Sequence, residues 1–127
     1  MSRILNILLV EDDPINQKVA SCIVKRELHN ITIAENGAIG VEKYLNEKFD
    51  LILMDIQMPV MDGIEATKKI RTIEKETKCE RMPIIAVTAY ALETDKIRIM
   101  AAGMDNYLSK PYKPLELLKA IHDTLNF

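Results

Sequence analysis

The chain is 127 residues long, enough for one domain with a sizeable core and too short for two. Its residues are 48% hydrophobic and 28% charged, which excludes a disordered or fibrous chain. Lys and Arg total 17 against 19 Asp and Glu, a net charge of -2, so there is neither the basic surplus of a nucleic-acid-binding domain nor an acidic tail.

Apolar runs alternate with helical patterns along the whole chain. Residues 4–10 predict a strand. After Pro14, the spacing of Ile15, Val19 and Ile23 predicts a helix that buries this stripe. Asn30–Ala34 reads as a short strand, and Asn36-Gly37 as a turn into a helix over 38–47. Residues 50–54 form a strongly apolar strand ending at Asp55, followed by a loop marked by Pro59 and Asp62-Gly63. A third helix turns Ile64, Ile70 and Ile73 inward, and the charged stretch 74–82 reads as a loop. Pro83 opens a strand over 84–87, and residues 92–102 form a helix stopped by Gly103. A short strand over 106–108 precedes a last helix from Pro114, with Leu118, Ile121 and Leu125 as its buried stripe.

Five strands alternating with five helices predict an α/β fold. Strands that are apolar throughout belong to a parallel sheet covered on both faces. Right-handed crossovers then give a flavodoxin-like, doubly wound single domain over residues 1–127, with strand order 2-1-3-4-5. No apolar run is long enough to insert in a membrane, and the N-terminal segment has neither the clean apolar stretch nor the cleavage site of a signal peptide. Cys22 and Cys79 make no zinc spacing and read as free thiols in the cytoplasm. Met54, Met58, Met61, Met100 and Met104 read as gap-filling packing.

In such a fold the carboxyl ends of all strands share one sheet edge, where ligands bind. Glu11, Asp12 and Asp13 follow strand 1, Asp55 ends strand 3, Thr88 follows strand 4, and Lys110 follows strand 5. Carboxylates gathered together repel, and a divalent cation relieves the conflict. Oxygen donors without His or Cys point to Mg²⁺ or Mn²⁺, which leaves positions open for phosphoryl oxygens. Lys110 can pair with a phosphate oxygen and Thr88 can donate a hydroxyl hydrogen bond. A carboxylate here can act as a nucleophile and form an aspartyl-phosphate. Asp12 or Asp13 can alternatively serve as the cap of the first helix.

The strings LLVEDDPINQ, LILMDIQMPVMDG, AVTAY and NYLSKPYKP resemble those of response-regulator receiver domains over nearly the whole chain, and the first two are most similar to receivers of hybrid histidine kinases. The resemblance implies a phosphoacceptor at Asp55, a metal ligand at Asp12, Glu11 acting through water, and the Gln57 carbonyl as a further ligand. It implies that Thr88 and Lys110 bind phosphoryl oxygens, that Tyr107 is an aromatic switch, and that the Lys110-Pro111 bond is cis. One departure is Asp13, where receivers of hybrid kinases commonly carry Asn.

The phosphoryl donor implied is a phosphohistidine on a histidine kinase or a histidine phosphotransfer domain. Phosphorylation then switches the face made by helix 4, strand 5 and helix 5. Such a chain is a phosphoacceptor that assists its own phosphorylation and hydrolysis, working as a monomer or a weak phosphorylation-dependent dimer. Gln57 and Tyr90, two residues after Asp55 and Thr88, are large enough to shade the path of attacking water. Ile15, Cys22 and Pro111 offer a docking surface for the donor. The alternative function is a small aspartyl-phosphate phosphotransferase or phosphatase acting on an external substrate. That would need a second acid two residues after the nucleophile, where this chain has Gln57. A stand-alone regulator and a receiver taken from a longer hybrid kinase both fit the length.

Overall fold

The structure is a computed structural model and describes residues 3–58, 60–89 and 92–126. Among them, strands β1 (Asn6–Val10), β2 (Asn30–Ala34), β3 (Leu51–Asp55), β4 (Ile84–Thr88) and β5 (Asn106–Ser109) alternate with helices α1 (Pro14–Arg26), α2 (Gly37–Asn46), α3 (Gly63–Thr77), α4 (Glu93–Ala102) and α5 (Pro114–Leu125). All strands are parallel, in the order β2-β1-β3-β4-β5.

Side chains alternate across the sheet and divide the core in two. Leu5, Ile7, Leu9, Leu51, Leu53, Ile85, Val87 and Leu108 pack under α1 and α5. Leu8, Val10, Ile52, Met54, Ile84 and Ala86 face the other way, under α2, α3 and α4. With both faces covered, β3 and β4 are buried at every residue. That is why these strands read as continuous apolar runs.

The helix starts are chemically specified. Asp13, Asn36 and Asp62 cap α1, α2 and α3, their side chains accepting from the backbone N–H groups of Ile15, Ile39 and Glu65 at 2.9 Å each. Gly103 ends α4 with φ 99°, a left-handed conformation that costs glycine no Cβ clash.

The structure corrects three expectations from periodicity. In α1 the buried residues are Ala20, Ile23 and Val24, whereas Ile15 is 73% and Val19 44% exposed. In α5 the fully buried residues are Leu117, Ala120 and Ile121, with Leu118 and Leu125 at the margin. The stretch from Glu74 is no loop at its start, because α3 continues through Thr77 and buries Glu74. The reason is an ion pair: Arg71 Nη1 donates to Glu74 Oε1 at 2.9 Å, one turn away on the same helix face. Among the methionines, Met54 and Met104 are core and Met58 and Met61 pack against it, but Met100 is 54% exposed.

Candidate functional site

The carboxyl ends of the five strands form one rim, and the candidate site sits between β1, β3, β4 and β5. β1 delivers Glu11, whose backbone N–H donates to Ala34 O, holding the residue where the strand stops. Asp12 projects from the exposed turn that follows, before the Asp13 cap. β3 delivers Asp55, buried and in register with Val87 of β4. Gly63 at the start of α3 passes so close beneath Asp55 that a Cβ there would press on the Asp55 carbonyl, so glycine is needed for the loop to return under β3.

One carboxylate oxygen from each of Glu11, Asp12 and Asp55 lies within 4.8 Å of the other two. Lys110 closes the site from β5. Its Nζ lies 2.8 Å from Glu11 Oε1 and 3.0 Å from Asp55 Oδ2. The other Asp55 oxygen, Oδ1, accepts the backbone N–H of Gln57 at 3.0 Å. The Lys110-Pro111 peptide is cis. Lys110 N–H donates to Thr88 O at 2.8 Å, which binds the ends of β4 and β5.

Electrostatics follow from crowding. Burial pushes the Glu11 carboxyl up to about 7; the Lys110 ammonium opposes the shift, and Asp55 adds to it. Burial alone would lower Lys110, but its bonds to Glu11 and Asp55 overcome that and raise it. The donor set fits a hard divalent cation: three carboxylates, with no His or Cys among them.

Asp13 stands apart from this set. Its Oδ1 caps α1 and its Oδ2 accepts from Asn16 Nδ2 at 3.3 Å, while its N–H donates to Glu11 Oε2 at 3.2 Å. The side chain at this position therefore supplies a helix cap, while the backbone N–H, independent of the residue's identity, orients Glu11.

Thr88 is buried at the end of β4. Tyr107 pairs in register with Ala86, so the alternation of β4 puts Tyr107 and Thr88 on the same side of the sheet, under α4. Gln57 is exposed beside Asp55, Ile15 and Pro111 are exposed next to the rim, and Cys22 is exposed about two turns farther along α1. Tyr90 lies outside the described residues.

Two features at or near the site were not read from sequence. Burial raises the Tyr112 hydroxyl above its ordinary range, and the Glu11 charge adds to the shift. Lys96 of α4 places its Nζ 5.1 Å from the centroid of the Tyr107 ring.

The profile of the response regulator receiver domain matches residues 7–122. This chain belongs to the response regulator receiver domain family. It is 40% identical over 121 residues to hybrid signal transduction histidine kinase I of Dictyostelium discoideum, an alignment covering 91% of this chain and 7% of that protein. It is 37% identical over 120 residues to sensor protein GacS of Pseudomonas syringae pv. syringae, covering 94% of this chain and 13% of that one. The chain thus spans a small part of the length of these curated relatives.

Among solved structures, the receiver domain superposes on that of sensor histidine kinase PA1611 from Pseudomonas aeruginosa PAO1. The TM-score is 0.87 at 38% identity, covering 98% of this chain and 100% of that one; the PA1611 structure has a magnesium ion coordinated in its active-site cleft. It also matches the receiver domain of Ssk1 from Saccharomyces cerevisiae, co-crystallised with the histidine phosphotransfer protein Ypd1. There the TM-score is 0.91 at 33% identity, covering 95% of this chain and 88% of that one. Among the described residues, no helix of this receiver domain is long and apolar enough to cross a membrane.

Proposed function

We propose that this receiver domain takes a phosphoryl group from a phosphohistidine onto Asp55, in a reaction that depends on Mg²⁺ or Mn²⁺. The observation that carries the reading is the approach of Lys110 Nζ to Asp55 Oδ2 at 3.0 Å, inside a cluster that also holds Glu11 and Asp12. Asp12, Asp55 and the backbone carbonyl of Gln57 would hold the cation, with Glu11 acting through water. When bound, the cation supplies positive charge to the transferring phosphoryl oxygens.

Asp55 supplies the nucleophilic oxygen. The P–N bond to the donor imidazole breaks as the P–O bond to Asp55 forms, and the imidazole nitrogen leaves with the electron pair and takes up a proton. Lys110, already positioned by two carboxylates, moves its charge onto a phosphoryl oxygen. Thr88 then bonds another phosphoryl oxygen, and Tyr107 moves into the space beside it on the same side of the sheet. The face made by α4, β5 and α5 is biased toward its second state.

The donor is a histidine kinase or a histidine phosphotransfer domain. The exposed apolar surface of α1 beside Asp12 supports docking there through Ile15 and Cys22, with Pro111 at the margin. The protein acts as a phosphoacceptor that assists its own phosphorylation and hydrolysis. The two free, exposed cysteines support a reducing, cytoplasmic setting. Action on an external substrate is disfavoured because Gln57 stands two residues after Asp55, where a second acid would be needed.

Mass spectrometry after incubation with acetyl phosphate and Mg²⁺ tests the assignment. Wild type should gain one phosphoryl adduct that Asp55→Asn lacks. An adduct retained in Asp55→Asn would overturn it.

A further inference from the structure

α4 is held unequally at its two ends. At its C-terminal end, the Gly103 carbonyl accepts from Arg71 Nε and from Arg81 Nη2, both at 2.8 Å. At its N-terminal end, Leu92 provides no side-chain cap and is itself exposed. Only Ile99 and Ala102, both in the second half, are fully buried. The first turns of α4 therefore depend on few contacts.

Lys96 is one of those contacts. It sits one turn into the helix, its N–H donating to Leu92 O. Among the described residues, no carboxylate lies within ion-pair distance of its ammonium, which instead rests over the Tyr107 ring at 5.1 Å. Tyr107 is half-buried at the edge of the α2–α4 side of the core, beside the small Ala86. A cation over the face of an aromatic ring is attracted by its quadrupole, and the attraction needs the ring to stay where the cation can reach it.

We propose that Lys96 is a positioning residue that holds the Tyr107 ring in its resting place and so sets how readily the domain switches. This rests on the receiver reading above. A ring that turns inward toward Thr88 leaves the Lys96 ammonium, so the contact favours the resting state. It also ties the loosely held start of α4 to β5, and its loss frees both together. A lone contact of this kind at a partly exposed site changes the resting-to-switched ratio by about two- to fivefold.

The test uses the full chain labelled with fluorotyrosine, the Tyr107 resonance being assigned by its disappearance in Tyr107→Phe. Lys96→Met keeps the aliphatic stem and removes the charge, while Lys96→Arg keeps the charge. In the unphosphorylated protein, Lys96→Met should move the Tyr107 resonance toward its position after acetyl phosphate treatment, and speed phosphorylation by about two- to fivefold. Lys96→Arg should behave as wild type, and Lys96→Met, losing one such contact, should lower the unfolding temperature by no more than about a few degrees. A Tyr107 resonance unmoved by Lys96→Met, or moved equally by Lys96→Arg, would overturn the proposal. If wild type gained no phosphoryl adduct, the receiver reading would fail, while the resting-state resonance would still report on Lys96.

Discussion

Lys110 Nζ lies 2.8 Å from Glu11 Oε1, joining the end of β5 to the end of β1 across the whole crevice. The lysine thus occupies the acidic cluster that the cation would otherwise neutralise. Removing its ammonium leaves three carboxylates facing one another at separations where charges interact by several kcal/mol. Lys110→Met should therefore bind Mg²⁺ about tenfold more tightly by calorimetry, while its phosphorylation by acetyl phosphate slows sharply. Weaker Mg²⁺ binding in this variant would mean that the lysine is not competing for the cluster.

Asp13 is a helix cap, and its loss should read as stability. Asp13→Ala should cost about 1 kcal/mol in urea unfolding. Its Mg²⁺ affinity should stay close to wild type, because both side-chain oxygens of Asp13 are committed to α1. A large drop in Mg²⁺ affinity would place Asp13 among the ligands.

Ile15 sits in the first turn of α1, 73% exposed, where an acidic residue suits the helix dipole and should not harm folding. Ile15→Asp should slow phosphotransfer from a histidine phosphotransfer domain by about tenfold or more. Phosphorylation by acetyl phosphate should be unchanged, and equal losses with both donors would remove Ile15 from the docking surface.

Arg71 is the main polar tie at the end of the sheet opposite the site. Its guanidinium, 14% exposed, pairs with Glu74 and Asp105 and donates to the carbonyls of Met82 and Gly103. Arg71→Met leaves the buried Glu74 without its cation, while Asp105 keeps Arg81, at a cost of about 3–5 kcal/mol in denaturant unfolding. A loss below about 1 kcal/mol would show that Glu74 is solvated in practice.

His29 gives stability a pH dependence. Leu5 N–H donates to His29 Nδ1 at 3.1 Å, so this nitrogen must be unprotonated in the fold. Burial lowers the imidazole below its ordinary 6.5, partly offset by Glu27. A group depressed on folding contributes stability above its unfolded pKa and loses it as pH falls through the folded value. As pH falls from about 7 to about 5, the wild type should lose stability that His29→Asn does not lose. Parallel unfolding curves for the two proteins across that window would exclude the role.

Strand order, the rim and the four groups Glu11, Asp12, Asp55 and Lys110 were legible in the sequence. Buried parallel strands carry unbroken apolar runs, and an acid or lysine directly after such a run has only the sheet edge to occupy. Of the caps, the sequence left Asp12 and Asp13 both open for α1, while Asn36 and Asp62 read only as turn and loop residues, although each accepts a backbone N–H within three residues of itself.

Which face of α1 points inward was not legible. Ile15, Val19 and Ile23 fit a helical stripe, yet the sheet lies under Ala20, Ile23 and Val24. Periodicity identifies a face without saying whether core or a partner covers it. The tertiary structure alone decided that Asp13 caps and Asp12 joins the cluster, that Glu74 is buried on a helix and paired, and that Lys96 meets Tyr107. Each of those outcomes depends on where a neighbouring element comes to rest, and that is set by packing the whole chain at once.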